Sequence, residues 1–235
     1  MQKKIKLAIF AQSRSLSNNI LKKLSKLKNK IEIILVVSDS NFKNKINSIR
    51  IKKFKWLKNN KNNGKDLYAV SLQHKWKIHK KILNKFKFFF NFHFGDIPKY
   101  RGHSPIIHAI LKDEKYIYGT IHAIDEYLDR GLIVGKIKVK NDNLSVKDIE
   151  NKMCIKFSNY FEKLIYKLIN KQKIILKKIN FKKNKFYKIN SLEKLKEVKN
   201  FKEIISKTRA FDYYPHEPAF IRIKDMKIYL RLKYN

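Results

Sequence analysis

Apolar residues fall along this chain in short β-branched runs, separated by stretches in which they recur at helical spacing. Ile5–Phe10 is the first run and predicts a buried strand. A polar loop, Ala11–Ser15, follows; Ser17 is suited to cap a helix, and Ile20, Leu21, Leu24 and Leu27 then share one helical face. Ile31–Val37 predicts a second strand, so the chain opens with a βαβ unit, which calls for a parallel sheet and a right-handed crossover. Asn41–Lys65 is rich in lysine and asparagine; Phe42, Ile46, Ile49 and Ile51 suggest a short helix within it, and Asn59–Gly64 a turn. Asp66–Leu72 resumes as a strand, and Trp76, Ile78, Ile82, Leu83 and Phe86 suggest another short helix.

The apolar run Phe88–Phe90 continues into Asn91-Phe92-His93 before Gly95, Asp96 and Pro98 end the strand. Alternation along a strand puts Asn91 and His93 on one face, with Phe92 and Phe94 on the other. An amide and an imidazole are thus presented where a strand meets a loop, the place at which open α/β sheets bind ligands. Ser104-Pro105 starts a helix through Leu111, Tyr118–Ile124 reads as a strand, Asp125–Gly131 as a loop and Leu132–Val139 as a further strand. Ser145 and Asp148 have the spacing of a capping box ahead of a long helix, whose stripe is Ile149, Met153, Phe157, Phe161, Leu164, Ile165 and Leu168. From about Ile174 shorter segments follow: strands at Ile174–Ile179, Lys185–Ile189, Ala219–Ile223 and Ile228–Leu232, and a helix from Ser191 through Ala210. The expected fold is α/β, a Rossmann-like, mostly parallel sheet with helices on both faces, in residues 1–179, with a small α+β appendage in 180–235.

Composition narrows the function classes. At 235 residues, 43 % of them hydrophobic, the chain can bury a substantial core, and no apolar run approaches the roughly 20 residues of a membrane span. Ile5–Ala11 is broken by Lys6 and followed by Arg14, so it reads as a strand and not as a signal peptide. The single Cys154 excludes an internal disulfide and a cysteine-based zinc site, and a cytoplasmic protein is expected. The formal charge of +37 points towards nucleic acid, yet the 56 basic residues are nearly all lysines dispersed among Asn and Ile. AT-rich coding bias produces that pattern, which makes the charge a weak sign of a site, although it would steer anionic ligands. No G-x-G-x-x-G follows the first strand, which speaks against a nicotinamide cofactor. His93, His103 and His108 form no H-E-x-x-H, and His122, alternating with Thr120 and Ile124, reads as structural; no metal is expected.

What remains is acid–base chemistry. An imidazole gives or accepts a proton near neutrality, an amide N–H supports a developing oxyanion, and a carboxylate from the 125–131 loop could orient the imidazole or accept a proton from an amine. No activated Ser or Cys stands beside them, so direct transfer of an acyl group fits better than a covalent intermediate.

N-F-H-F-G-D-I-P-K-Y-R-G (Asn91–Gly102), followed by G-T-I-H-x-x-D-x-x-x-D-x-G (Gly119–Gly131), closely resembles the 10-formyltetrahydrofolate-dependent formyltransferases. That family includes glycinamide ribonucleotide, methionyl-tRNA and nucleotide-sugar formyltransferases. The resemblance covers about residues 1–172 in fold and is most specific over 91–131. It implies a catalytic set of Asn91, His93 and Asp129: His93 and Asn91 support the oxyanion, while Asp129 holds His93 protonated and helps remove the amine proton. It places the folate donor against Trp76, Ile78, the turn Gly95, Asp96, Ile97 and Pro98, and Asp125 and Tyr127. Gly95 and Asp96 depart from the Ser and Leu usual in the family. No metal is implied.

The tail Arg209–Leu232 resembles the short C-terminal region of the nucleotide-sugar N-formyltransferases. Methionyl-tRNA formyltransferases carry a complete extra barrel domain, for which the roughly 55 residues after Ile179 are too few. The resemblance therefore implies as acceptor a nucleotide-linked amino sugar, such as a dTDP- or GDP-4-amino-4,6-dideoxy sugar, for surface polysaccharide (O-antigen) synthesis, and a homodimer. Lys99, Tyr100, Arg101 and Gly102 would meet the diphosphate or sugar, and Tyr213 or Tyr214 the base. Two rivals stand beside it: a minimal methionyl-tRNA formyltransferase, which the charge favours, and a non-catalytic folate- or nucleotide-binding relic, against which Asn91, His93 and Asp129 are all retained.

Overall fold

Strand β1 (Ile5–Ala11) is buried on both faces, with Leu7 through Ala11 wholly inaccessible, as expected of a strand paired on each side. In this computed structural model, which describes residues 4–11, 15–37, 51–52, 67–73, 78–181, 186–188, 192–214 and 216–233, β1 pairs in parallel with β2 (Ile31–Val37) and with β4 (Leu67–Leu72). β2 in turn pairs in parallel with the two-residue β3 (Ile51–Lys52), and β4 with β5 (Phe88–His93). β7 (Tyr116–Ala123) runs antiparallel to β5, and β8 (Ile133–Lys140) completes a seven-stranded sheet ordered β3-β2-β1-β4-β5-β7-β8. The mixed, mostly parallel α/β fold is as the βαβ opening predicts.

The chain divides into two compact units that interleave along the sequence. The first comprises Met1–His93, Thr120–Gly135 and Cys154–Ile179. On one side of β5 its core holds Ala8, Phe10, Leu67, Ala69, Ile78, Ile82 and Phe89, with the Phe10 and Phe89 rings 4.7 Å apart. Phe92, on the opposite side from Asn91 and His93, meets Phe157 of the long helix edge-on at 5.4 Å. Helix α1 (Ser15–Ser25) buries Leu16, Ile20, Leu21 and Leu24, and Lys23 pairs with Glu162 at 2.6 Å.

The second unit comprises Phe94–Gly119, Lys136–Met153 and Asn180–Asn235, so everything after Ile179 lies in it. Helix α3 (Pro105–Leu111) packs against α5 (Glu203–Phe211), β6 (Arg101–Gly102) pairs with β9 (Phe186–Tyr187), and β10 (Phe220–Ile223) and β11 (Met226–Tyr229) form a hairpin. The Arg209 guanidinium is buried and donates to the Leu144 carbonyl at 3.0 Å and to Asn141. The long helix α4 (Val146–Ile169), shared between the units, opens on a complete capping box: Asp148 N–H donates to Ser145 Oγ at 3.2 Å, and Ser145 N–H to Asp148 Oδ2 at 3.1 Å. Its predicted apolar stripe is buried throughout.

Several local expectations change. Ser17 is the third residue of α1, not its cap, and its buried hydroxyl has no hydrogen-bond partner among the described residues. Ile51 belongs to a strand, because β2 offers it a parallel edge; the rest of the helix suggested around Phe42–Ile49 lies outside the described residues. The helix suggested from Trp76 to Phe86 is a single turn, α2 (Lys80–Leu83). Among the described residues Ile174–Ile179 makes a single bridge, Lys177 to Ile133. The helix expected over Ser191–Ala210 is interrupted, since Val198 N–H donates to the Phe220 carbonyl at 2.8 Å and Phe220 N–H to the Lys196 carbonyl at 3.1 Å, which draws those residues into extended pairing.

Candidate active site

β5 and β7 bring the candidate residues together. Their antiparallel register sets Asn91 opposite His122 and His93 opposite Thr120, so all four occupy one face of the sheet. The loop after β7 then returns Asp129 to that face. Asp129 is buried with its backbone in the left-handed region (φ 52°), and its Oδ1 lies 3.7 Å from both His93 Nδ1 and His122 Nε2. Both distances are too long for a hydrogen bond. Asn91 Nδ2 lies 3.1 Å from His122 Nε2, and His122 Nδ1 lies 3.1 Å from the Ala123 carbonyl oxygen. His93, His122 and Asp129 are each less than a tenth exposed, so little water screens the cluster.

Asn91, His93 and Asp129 thus lie in one constellation, all within the first unit. His122 joins them, although alternation alone assigned it a structural place. The available signal was its position at the start of the loop that ends in Asp129, on a strand able to pair with β5. Gly131 closes that loop: a Cβ there would stand 1.5 Å from the Ala123 carbonyl oxygen, so the D-x-G glycine is required by a close backbone approach.

The remaining candidates are more dispersed. Asp125 Oδ1 accepts the Tyr127 N–H at 3.0 Å, and exposed Tyr127 carries the Arg130 guanidinium 5.4 Å from its ring centre. Ile78 is buried in the core beside Phe89, and Trp76 lies outside the described residues. Within the second unit Gly95 and Ile97 are buried, the Ile97–Pro98 peptide is cis, and Asp96 is paired with Lys136. Asp96, Lys99, Tyr100 and Glu114 line a cleft of about 140 Å³ there. Lys99 and Tyr100 both donate to Glu114 Oε1, at 2.5 and 2.6 Å. Burial, and then the bond to Glu114, push the Tyr100 phenol far above its usual range. Although burial pushes the Glu114 carboxyl up, the bonds from Lys99 and Tyr100 outweigh it and hold that group below its usual range. Arg101 lies between the Phe181 and Phe186 rings, 5.4 and 5.7 Å from their centres. Gly102 has φ 88° and packs so close to the Tyr187 carbonyl that a Cβ would stand 2.4 Å from it. Tyr213 is half-buried and stacked on His216 at 5.6 Å, whereas Tyr214 is largely exposed.

No family model matches the chain. Over 90 residues it is 33 % identical to the methionyl-tRNA formyltransferase of Finegoldia magna, a stretch that is 37 % of this chain and only 29 % of that protein. A 4-N formyltransferase from Francisella tularensis shares the fold with a TM-score of 0.80 at 22 % identity, over 98 % of both chains. WlaRD, a sugar 3N-formyl transferase solved in the presence of dTDP and 5-N-formyl-THF, gives a TM-score of 0.75 at 25 % identity, over 96 % of this chain and 85 % of its own. An architecture common to nearly the whole of these chains shows that the protein has the fold of these formyltransferases, and the match to the Finegoldia magna enzyme adds sequence similarity over little more than a third of the chain.

Proposed function

We propose that the protein transfers a formyl group from 10-formyltetrahydrofolate to the primary amine of a nucleotide-linked amino sugar. The observation that carries this reading is the meeting of half-buried Asn91 with buried His93 and Asp129, with no competing nucleophile among them. The folate donor supplies an activated formyl group, and the donor set fits it: an amide and an imidazole to meet a carbonyl oxygen, a carboxylate to receive a proton. Asn91 Nδ2–H and protonated His93 support the negative charge that gathers on the formyl oxygen. Asp129, 3.7 Å from His93, takes up the proton that the attacking amine must lose as the new C–N bond forms, and returns it to the folate nitrogen as the bond from that nitrogen to the formyl carbon breaks.

The motif assigns Trp76, Ile78, Gly95, Asp96, Ile97, Pro98, Asp125 and Tyr127 to the folate side, and Lys99, Tyr100, Arg101, Gly102, Tyr213 and Tyr214 to the acceptor. The dTDP present with WlaRD supports a nucleotide-linked acceptor; a dTDP- or GDP-4-amino-4,6-dideoxy sugar is the specific choice, used in surface polysaccharide synthesis by a homodimer. Among the described residues no helix is long and apolar enough to cross a membrane. A second reading, methionyl-tRNA as acceptor, is favoured by the match to the Finegoldia magna enzyme and by the +37 charge.

Mass spectrometry of one reaction separates them: protein, 10-formyltetrahydrofolate, a panel of amino-sugar nucleotides and methionyl-tRNA, with Asp129→Asn run in parallel. A formylated sugar nucleotide, reduced at least ~10²-fold in the variant, is expected. Formylated methionyl-tRNA with no formylated sugar refutes the acceptor, and bound folate without any formylated product refutes the catalytic assignment.

A further inference from the structure

We infer that His122 is a positioning residue: held as its Nδ1–H tautomer by the Ala123 carbonyl, it sets which way the Asn91 amide faces. The geometry leaves little freedom. A carbonyl oxygen only accepts, so the contact from His122 Nδ1 to Ala123 O at 3.1 Å requires the proton on Nδ1. In a neutral imidazole Nε2 is then an acceptor, and the group 3.1 Å from it must donate, as the Asn91 amide nitrogen does. A carboxamide has two orientations of nearly equal shape, and this contact selects one. One Nδ2–H is engaged by His122, and the other is directed by the same rigid plane.

Either the other tautomer or protonation of His122 would set an N–H against that N–H. The amide would then turn over, presenting its oxygen to His122 and exchanging donor for acceptor on its other edge. This step rests on the proposed formyl transfer, in which Asn91 must act as a donor.

The Ala123 carbonyl that holds the tautomer is itself fixed. Ala123 N–H donates to the Leu132 carbonyl at 2.8 Å, and the absent side chain of Gly131 lets the returning loop press against Ala123 O. His122 is 2 % exposed, and the charged or titratable groups facing it are Asp129, 3.7 Å from Nε2, and His93, which shares that carboxylate oxygen.

Two measurements test the inference. Long-range ¹H–¹⁵N correlation on the free, ¹⁵N-labelled wild-type protein above the titration of its histidines reads the tautomer without any substrate. Protonated Nδ1 with bare Nε2 is expected for His122, and the reverse pattern overturns the inference. In His122→Leu the Asn91 side-chain amide resonances should move, and unchanged resonances also overturn it. Kinetics add the functional arm. Loss of a correctly aimed donor predicts a kcat for His122→Leu lower by ~10–100-fold, with KM for donor and acceptor within about twofold of wild type. His122→Gln, which restores an acceptor for Asn91, should recover most of that kcat. A kcat unchanged in the Leu variant, or a loss entirely in KM, contradicts a positioning role. Absence of any formylated product from the wild type refutes the proposed reaction and leaves the tautomer to be judged by the spectra.

Discussion

Gly131→Ala should destabilise the protein well beyond an ordinary loop substitution. The added Cβ would lie 1.5 Å from the Ala123 carbonyl oxygen and 2.7 Å from its carbon, and both are backbone atoms that cannot rotate away. Ordinary non-bonded separation is roughly 3.5 Å, so the loop and the end of β7 must part by about 2 Å. That movement breaks the bond from Ala123 N–H to the Leu132 carbonyl, now 2.8 Å, and takes the Ala123 carbonyl away from His122 Nδ1. Two buried hydrogen bonds at about 1 kcal/mol each, with a further 1–3 kcal/mol for groups left unpaired, set the cost. Against it stands about 0.4–1 kcal/mol from stiffening the unfolded chain. The net loss is about 3 kcal/mol, a fall in Tm of roughly 6–12 °C for a chain of this length. Urea and thermal unfolding at pH 7 measure it. Gly135→Ala supplies the ordering, since its Cβ meets the Tyr160 hydroxyl at 2.1 Å, an end that swings aside for the loss of one bond to the Val134 carbonyl. A Gly131→Ala protein within 0.5 kcal/mol of wild type, or more stable than Gly135→Ala, would show that the close approach is not what the glycine serves.

Three further outcomes follow from other parts of the chain. Ser145→Ala removes the cap of α4 and should cost about 1 kcal/mol in urea denaturation, with Ser145→Asp restoring most of it. Arg209→Met leaves the Leu144 carbonyl and Asn141 without their buried donor and should cost about 2–4 kcal/mol; a smaller loss than Ser145→Ala would contradict the anchoring role of the guanidinium. Glu217 accepts hydrogen bonds from Lys227, Lys196 and Tyr229, which lower its pKa from 4.5 to about 2. A depressed carboxyl stabilises above its unfolded value and loses that contribution as pH falls from about 4.5 towards 2. Since the cluster is open to solvent, the effect should be below about 1 kcal/mol, shrink in salt, and vanish in Glu217→Gln when unfolding is followed against pH.

Elements with strong local signals were legible in advance. β1, β2, β4 and β5 are short runs dominated by apolar residues, and the stripe and capping box of α4 needed no tertiary information. The tail was less so. Lys196–Val198 sits in a helical pattern, yet it pairs with Phe220, a partner over twenty residues away that helical spacing cannot reveal. Ser17 has the chemistry of a cap, but α1 begins two residues earlier and leaves its hydroxyl inside.

The candidate site divides along the same line. Asn91 and His93 were legible as neighbours because alternation within one strand is local. His122 was not, because its role depends on register between two strands, and a slip of one residue exchanges the faces of a whole strand. In that slipped pairing Ile121 would stand opposite Asn91, and His122 would turn to the side where Phe92 meets Phe157. What favours the observed register is spread over several residues: Phe92 and Ile121 are apolar on the buried face, and Gly131 alone admits the loop that bonds Leu132 to Ala123. The glycine of the D-x-G motif therefore acts at a distance from its own position. By permitting the loop to close on Ala123, it steadies the carbonyl that holds the His122 tautomer, and through it the amide of Asn91.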